Sequence, residues 1–381
     1  MKIAIVDISG KIPLYDYYLT NGIYTQIKQD DTVTLLSPRD INVPIQELWF
    51  KPLLSLLPKS LHEKYNVGRR VMKGGEVILN YIYFLFLCLS KKYDVIHFQW
   101  LPLMEFCSIE NFVLQLLKRR KTKVVLTVHN IFPHDYPESK KGVYKTRMKL
   151  AMSKIDSIVC HTESTRLELV KEWGVPTKKI NVVFHGIFPA HNNFDSRIEE
   201  NIFSMVGTQS SYKGTDLLIK AVEKLPNDIR AKIKVRIMGP TGADFYNQYI
   251  ELARSLGIEW NPKRLSDEEF FRVISSSKYI ILPYREISQS GVLLQVLSFN
   301  KIIIPSDLPA FRETLSGFTE DMFFESNSAS SLAEIMMKYV RGDINESKQM
   351  DIIMELNDKY SWDKSCTKTI SIYKSIINQD K

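Results

Sequence analysis

The sequence predicts an α/β protein made of two doubly wound domains of comparable size. Short, β-rich apolar runs alternate with amphipathic or mixed segments, as in parallel sheets with crossover helices. The alternation stops once, in a polar stretch from Pro189 to Glu200, and then restarts. At 381 residues the chain also exceeds the size at which a single hydrophobic core usually stops growing.

The apolar runs predict the strands of both domains. Those of the first are Lys2–Asp7, Thr32–Leu36, Asp94–Gln99, Lys123–Val128, Ser157–His161 and Asn181–Phe184, and those of the second are Ile202–Val206, Lys234–Met238, Tyr279–Leu282 and Ile302–Pro305. The predicted domains are 1–190 and 200–358, followed by a C-terminal helix within 359–381 that packs back on the first domain. Open α/β sheets bind ligands at the carboxyl ends of their strands, so we expect a site in the cleft between the domains.

The net charge of +8 comes from the first half of the chain. Residues 1–190 carry 27 Lys and Arg against 17 Asp and Glu, whereas residues 191–381 carry 24 against 26. Two clusters stand out, Lys118, Arg119, Arg120, Lys121 and Lys123, and Lys140, Lys141, Lys145, Arg147 and Lys149. The excess predicts an anionic partner such as phospholipid, a lipid diphosphate or nucleic acid, or else diffuse solvating charge.

The cysteines and the first residues favour a cytoplasmic protein. The four cysteines lie far apart, at no metal or redox spacing, and are expected to be buried. Met1 to Asp7 lacks the basic flank and long apolar region of a signal peptide. The most apolar stretch, Val77–Leu89, is too short to cross a bilayer and predicts a buried helix, with a membrane-dipping helix as the alternative.

An anion-binding turn is predicted from Val206 to Gly214, between a strand and an amphipathic helix. Gly207 lets the backbone approach an oxygen closely, Lys213 supplies positive charge, and the helix start offers unpaired N–H groups. A plain strand-to-helix turn with a surface lysine is the alternative.

A second strand, loop and helix run from Leu282 to Gln295. Ser290 and Gly291 lie where the helix begins, so their N–H groups are expected to hold a second phosphate. Arg285 is the predicted cation for the leaving group. Ser290 as an ordinary helix cap is a compatible alternative.

Histidines end several strands of the first domain. His129, followed by Asn130, lies at a strand's carboxyl end, where a histidine can donate a hydrogen bond to a sugar hydroxyl; whether it does acid–base work is left open. His97 is expected to be buried and hydrogen-bonded. A structural role is expected for His161 and His185, although they face the ligand side of the sheet.

Several common cofactor signals are missing from the sequence. It has no Asp-x-Asp pair, no His/Cys cluster at zinc spacing, no Gly-x-Gly-x-x-Gly fingerprint and no P-loop. We therefore expect neither a metal nor a cofactor.

Taken together, these residues resemble the retaining glycosyltransferases of family 4, group 1, whose GT-B fold has two Rossmann-like domains facing across a cleft. The resemblance covers nearly the whole chain. It is carried by His129-Asn130, Gly207 to Gly214, Met238-Gly239-Pro240, Tyr284 to Gln295 with Ser306-Asp307, and Tyr360-Ser361-Trp362.

The resemblance implies a metal-independent transferase, of the hexosyltransferase type, that moves a sugar from a nucleotide diphosphate sugar to a glycan or lipid-linked acceptor in cell-surface polysaccharide synthesis. It implies no nucleic-acid partner, and contact with the inner face of the cytoplasmic membrane stays open. The implied donor-binding residues are Gly207, Lys213, Gly239, Arg285, Ser290, Gly291, Val292 and Gln295. His129 and Glu286 are the predicted catalytic residues, and Gly10, Asn130 and His161 the predicted acceptor-side residues.

The sequence also departs from the family pattern. Thr208 and Gln209 stand where the family usually has an arginine, so Arg285 would have to compensate. Gln295 replaces the second of two paired glutamates, and Glu286 falls one residue away from the first. A catalytically degenerate partner or a nucleotide-sugar-binding protein is therefore the alternative function. An epimerase and a glucan synthase are disfavoured.

Overall fold

The computed structural model describes residues 1–39, 45–55, 67–133, 136–189, 199–287 and 290–379, with the backbone alone for 67–71, 199 and 200. The chain divides into two compact units, Met1–His185 with Trp362–Lys381, and Gly186–Ser361. Most of the predicted linker, residues 190–198, lies outside the described residues.

The first unit is built on a seven-stranded parallel sheet in the order β3-β2-β1-β4-β5-β6-β7. Its strands are β1 (Lys2–Val6), β2 (Thr32–Pro38), β3 (Phe50–Leu53), β4 (Val95–Phe98), β5 (Lys123–Val128), β6 (Ser157–Cys160) and β7 (Ile180–Val182). Its helices are α1 (Pro13–Gln26), α2 (Val67–Ser90), α3 (Ile109–Arg119), α4 (Glu138–Lys154), α5 (Glu163–Lys171) and, from the end of the chain, α14 (Trp362–Asn378). The strand order reverses direction beside β1, as in a doubly wound fold.

The C-terminal helix α14 packs within this first unit, as predicted. The Thr367 hydroxyl donates to Oε1 of Gln26 on α1 at 2.8 Å, and the Cys366 thiol lies 3.6 Å from the carbonyl of Leu19. Strands β4 and β6 are buried along their whole length, because a parallel sheet is covered on both faces.

The second unit contains a five-stranded parallel sheet in the order β10-β9-β8-β11-β12. Its strands are β8 (Glu199–Val206), β9 (Lys234–Met238), β10 (Glu259–Asn261), β11 (Ser277–Leu282) and β12 (Ile302–Pro305). Its helices are α6 (Thr215–Lys224), α7 (Asn227–Arg230), α8 (Ala243–Ser255), α9 (Asp267–Ser276), α10 (Gly291–Ser298), α11 (Pro309–Thr314), α12 (Ala329–Arg341) and α13 (Glu346–Lys359).

Helix α2 corrects two expectations about the stretch Val77–Leu89. The helix is 24 residues long, and Met72–Ser90 is the one helical segment among the described residues that is long and apolar enough to cross a membrane. It is also not a buried helix, because Ile82, Phe86 and Leu89 are exposed by 60%, 62% and 68%. Only the side of α2 toward the sheet is buried.

The cysteines follow the prediction with one exception. Cys88, Cys160 and Cys366 are free and buried, whereas Cys107 is partly exposed.

Candidate functional site

In the second unit, two glycines bring the loops after β8, β9 and β11 together. A Cβ on Gly214 would lie 1.8 Å from the carbonyl oxygen of Pro283, and a Cβ on Gly239 would lie 2.1 Å from that of Gly207. Both glycines have positive φ, at 76° and 137°. No side chain fits at these distances, so glycine is required at both positions for the loops to pack.

The two predicted phosphate turns lie side by side in this arrangement. A Cβ on Gly207 would be only 3.1 Å from Cγ2 of Val292 in the first turn of α10. The Ser290 hydroxyl accepts the N–H of Leu293 at 3.1 Å and so caps that helix. The N–H groups of Gly291 and Val292, the first two of α10, have no partner within the helix and lie beside the glycine turn.

Lys213 supplies the positive charge of these turns. Its Nζ lies 3.1 Å from the hydroxyl of Tyr284 and 4.6 Å from the centre of that ring. Among the described residues no carboxylate forms an ion pair with it, and burial lowers its pKa. A largely buried ammonium whose close partners are a phenol and an aromatic ring is suited to receive an anion.

Arg285 is already engaged within the protein. Its guanidinium donates to both carboxylate oxygens of Asp216 at 2.8 Å, to Oδ1 of Asn327 at 2.8 Å, and to the carbonyl of Ser211. It therefore ties the lysine turn to the loop after β11. Its predicted role at the leaving group stays a prediction, and it would require these bonds to be exchanged.

Thr208 and Gln209, which stand where the family usually has an arginine, have different surroundings. Gln209 is buried, donates to the carbonyl of Gly207 at 2.7 Å and accepts from the Thr215 hydroxyl at 2.9 Å, so it braces the turn from inside. Thr208 is exposed and lines a cavity of about 460 Å³.

Arg264 lines this same cavity and is not among the residues predicted from the sequence. Gly207, Gly239, Pro240, Leu265 and Phe270 complete the lining. Within the described part of the chain, no carboxylate forms an ion pair with Arg264. The signal that could have found it is its place just after β10, a strand that the apolar pattern did not predict.

Two further predicted residues lie on the same loop and helix. Glu286 is exposed on the loop after β11, and Gln295 is buried in α10, where its Nε2 donates to the hydroxyl of Ser298 at 3.1 Å. Ser288 and Gln289, within the predicted segment from Tyr284 to Gln295, lie outside the described residues. The catalytic role of Glu286 and the ribose contact of Gln295 stay predictions.

In the first unit, a chain of hydrogen bonds holds His129 in one neutral tautomer. The carbonyl of Val183 can only accept, so Nδ1 of His161, 2.9 Å away, carries the proton. Nε2 of His161 then accepts from Nδ1 of His129 at 3.1 Å. The unprotonated Nε2 of His129 faces the Gln99 amide at 3.3 Å, and it is satisfied when that amide presents its NH₂ group.

The surroundings of His129 keep it uncharged. Burial lowers its pKa well below the usual value, and the neighbouring His161 and His185 add to the shift. Burial also lowers the pKa of His161 to about 4. Trp100 stacks on the His129 ring at 5.4 Å between centroids, and Tyr15 meets it edge-on at 4.8 Å. His129 is therefore neutral at pH 7 and offers Nε2 as an acceptor, which corrects the expectation that it donates a hydrogen bond to a sugar hydroxyl.

The remaining predicted residues of this unit lie at other strand ends. Gly10 is in the loop after β1, where its N–H donates to the buried carboxylate of Asp7 at 3.0 Å. Asn130 follows His129 and is partly exposed. As predicted, His97 is buried, with its nitrogens 2.6 Å from the Tyr373 hydroxyl and 2.7 Å from that of Thr127.

Two family models match consecutive parts of the chain. The model of Glycosyltransferase Family 4 matches residues 25–191, and that of Glycosyl transferases group 1 matches residues 189–353. Together they cover most of the sequence. The chain belongs to the family 4, group 1 glycosyltransferases.

Individual relatives of this glycosyltransferase are distant in sequence. An uncharacterized glycosyltransferase of Methanocaldococcus jannaschii is 21% identical over 292 residues, which cover 71% of this chain and 73% of that protein. A glycosyltransferase structure from Rickettsia africae has a TM-score of 0.68 at 17% identity, over 99% of this chain and 98% of that one. HepE of Anabaena, solved in complex with UDP-glucose, has a TM-score of 0.61 at 13% identity, over 97% and 99%.

These likenesses confirm the predicted GT-B architecture with its Rossmann-like units, since structural similarity at such low identity shows the fold. The predicted membership of family 4 and the glycosyltransferase assignment are confirmed by the family models.

Proposed function

We propose that this glycosyltransferase moves a sugar, of the hexose type, from a nucleotide diphosphate donor to a glycan or lipid-linked acceptor with retention of anomeric configuration. The observation that carries the proposal is Lys213, a largely buried cation beside the glycine turn and beside the N–H groups of Gly291 and Val292, which have no partner within α10. HepE, a structural neighbour solved with UDP-glucose, supports a nucleotide-sugar donor.

In the proposed reaction, these residues bind the diphosphate of the donor. When the bond between the anomeric carbon and the phosphate oxygen breaks, negative charge grows on the departing diphosphate. Lys213 and the N–H groups of Gly291 and Val292 stabilise that charge, and they do so more strongly as it develops. The acceptor hydroxyl attacks from the face on which the diphosphate leaves, and a phosphate oxygen takes its proton. Retention then needs no protein base.

Arg264 supplies the second cation of the donor site in this proposal. Thr208 stands at the position of the family arginine, and Arg264 lines the same cavity with no ion pair to a described carboxylate. An exposed guanidinium there can bind a phosphate or the nucleotide base. Two protein cations supply the charge that a divalent metal would otherwise provide, so we propose metal-independent transfer.

His129 contacts the transferred sugar in the proposed reaction. In the tautomer set by His161 its Nε2 is an acceptor, so it receives a hydrogen bond from a sugar hydroxyl and gives up the long, 3.3 Å contact with Gln99. Since its pKa is lowered by burial, it stays uncharged beside the substrate. Glu286, exposed on its loop, remains the second residue proposed to take part.

Transfer assays with UDP-, GDP- and dTDP-sugars in excess EDTA test this function. We expect turnover with at least one donor, undiminished by the chelator, and a product with the donor's anomeric configuration by NMR. An inverted product would contradict retention, and loss of turnover that Mg²⁺ restores would contradict metal independence.

A degenerate partner is the second candidate, and the donor-site departures favour it. Gln295 and Thr208 replace charged residues of the family, and Gln295 is already bonded to Ser298. Nucleotide binding with no turnover for any donor and acceptor would support this candidate over the enzyme.

We also propose that the first unit rests on an anionic membrane, on the cytoplasmic side, where a lipid-linked acceptor of surface polysaccharide would be found. Helix α2 is apolar on both sides, since Val77 and Phe84 pack toward the sheet while Ile82 and Phe86 face outward. A helix that is apolar all round is typical of a core or a membrane.

Basic residues close to the C-terminal end of α2 add to this surface. Lys91 and Lys92 follow the helix, and the pKa of Lys51 is lowered, first by its contact with Lys91. Co-sedimentation with phosphatidylglycerol vesicles tests the contact. Phe86→Ser with Leu89→Ser should abolish binding, whereas binding that is independent of these residues and of lipid charge would contradict it.

A further inference from the structure

A polar cavity of about 600 Å³ lies in the first unit at the amino ends of β5, β6 and β7. Four lysines line it, Lys118 at the end of α3, Lys154 at the end of α4, and Lys178 and Lys179 just before β7. Ser371 and Ser375 of helix α14 form another part of the wall, together with Gln379 just after the helix. The histidines described above lie at the opposite, carboxyl ends of the strands.

Two of the four lysines donate hydrogen bonds to protein groups. Nζ of Lys179 donates to the carbonyl of Ile155 at 2.8 Å, and Nζ of Lys154 donates to Oδ1 of Asn111 at 3.0 Å. Among the described residues, neither Lys118 nor Lys178 has an ion pair or a side-chain hydrogen bond. Both are exposed to solvent.

Among the described residues, Asp156 is the one carboxylate that lines the cavity. Its Oδ2 accepts the N–H of Val124 at 2.8 Å, and its Oδ1 lies 4.0 Å from Nζ of Lys123, which adds a further positive charge. The charge of the lysines is therefore far from balanced.

The lysines are close enough to repel one another. Burial lowers the pKa of Lys154, and the charge of Lys118 lowers it further. Burial also lowers the pKa of Lys179; Asp156 opposes this shift, while Lys118 and Lys178 add to it. An anion placed among these groups would relieve the repulsion.

The deeper wall offers hydrogen bonds suited to oxygen atoms. Ser157 is buried, and its hydroxyl oxygen accepts from Nδ2 of Asn181 at 2.9 Å, which leaves its hydrogen available to donate. The lysine ammonium groups can also donate hydrogen bonds, and they cannot accept any. The chemistry of the cavity is thus that of a receptor for an oxyanion.

We propose that this cavity binds a phosphate-bearing anion of two or more negative charges. The site is separate from the donor turns of the second unit, by which we mean the turn from Val206 to Gly214 and the start of α10 at Ser290 and Gly291. The phosphate can belong to a free diphosphate or to a lipid headgroup. The inference does not depend on the proposed transfer reaction, because no residue of the cavity takes part in it.

Titration of the full chain with inorganic pyrophosphate tests the site by calorimetry. The chain carries Lys213→Ala, which removes the cation of the donor turns. We expect one pyrophosphate to bind, and Lys118→Ala with Lys178→Ala to weaken it by about tenfold or more. The matched control is Lys140→Ala with Lys149→Ala, two exposed lysines of α4 that do not line the cavity, and it should change the affinity by less than about twofold.

Equal weakening in both double variants would overturn the proposal, because it would mean diffuse charge, and so would the absence of pyrophosphate binding. Phosphatidylglycerol vesicles distinguish the two sources of phosphate: displacement of pyrophosphate by vesicles indicates a headgroup, and its retention indicates a soluble anion. UDP binding by the chain with Lys213 intact checks the donor turns independently, and it should be unaffected by Lys118→Ala with Lys178→Ala.

Discussion

Nζ of Lys213 lies 3.1 Å from the phenolic oxygen of Tyr284, so a largely buried cation is held by a residue from the neighbouring loop. The same ring offers its face, with 4.6 Å between Nζ and the ring centre. The phenol positions the ammonium without neutralising it, since burial raises the pKa of Tyr284 to about 12 and keeps its hydroxyl protonated.

Tyr284→Phe should therefore weaken donor use without abolishing it. The substitution keeps the ring that lies close to the ammonium but removes the hydrogen-bond acceptor, so we expect kcat/KM for the donor to fall by about 5- to 20-fold. Steady-state kinetics across donor concentrations measure this. An unchanged kcat/KM would mean that the hydroxyl does not position Lys213.

Gly214→Ala should disrupt the second unit. The new Cβ would meet the carbonyl oxygen of Pro283 at 1.8 Å, so we expect the free energy of unfolding to drop by at least about 3 kcal/mol. Gly257→Ala is the matched control, because Gly257 also has positive φ, at 72°, but no atom within 4 Å of the added Cβ. The control should lose about 1 kcal/mol. Similar losses for both variants in urea denaturation would argue against the close packing of the loops.

Removing Arg285 should affect stability as well as activity. Arg285→Ala leaves the largely buried carboxylate of Asp216 without its paired guanidinium, and we expect a loss of about 1–3 kcal/mol in thermal or urea unfolding. Asp216→Asn combined with Arg285→Ala should recover part of it. If Arg285→Ala lowered activity at unchanged stability, the guanidinium would act at the leaving group, as the sequence analysis predicted.

The histidine chain should make the protein less stable in acid. The pKa of His161 is lowered to about 4 in the folded protein, against about 6.5 in the unfolded chain, so the unfolded state binds protons first as the pH falls. Stability is fully present above about pH 6.5 and is lost as the pH falls toward 4, by about 1–3 kcal/mol for this residue.

His161→Gln tests this pH dependence by urea denaturation at several pH values. The variant should lose less stability than the wild type between pH 6.5 and 4. A parallel fall for both proteins would show that other groups cause the acid sensitivity.

Most strands were predictable because both faces of a parallel sheet are covered, which makes central strands such as Tyr279–Leu282 continuous apolar runs. The two strands that the pattern missed, β3 and β10, are short edge strands. Strand β3 contains Lys51 and Pro52, and β10 contains Glu259 and Asn261. Edge strands need fewer apolar residues, so their sequences look like loops.

The donor turns were predictable for a different reason. The sequence shows these turns locally, because Gly207 directly follows a strand, Lys213 lies just before a helix and Gly291 begins one. The partners of Arg285 and the position of Arg264 depend on contacts across 69 residues or on the course of an edge strand, which no local pattern contains. The exposure of the outward face of α2 could not be predicted for a related reason, since an apolar helix can be buried on one side or on both.

The most direct test of the account is the affinity of the full chain for nucleoside diphosphates with and without Lys213. Calorimetry with UDP, GDP, ADP and dTDP on the wild type, Lys213→Ala and the exposed control Lys224→Ala would provide it. The account predicts that the preferred nucleotide binds at least about tenfold more weakly to Lys213→Ala and equally well to the wild type and to Lys224→Ala. Equal affinity for all three proteins would contradict it.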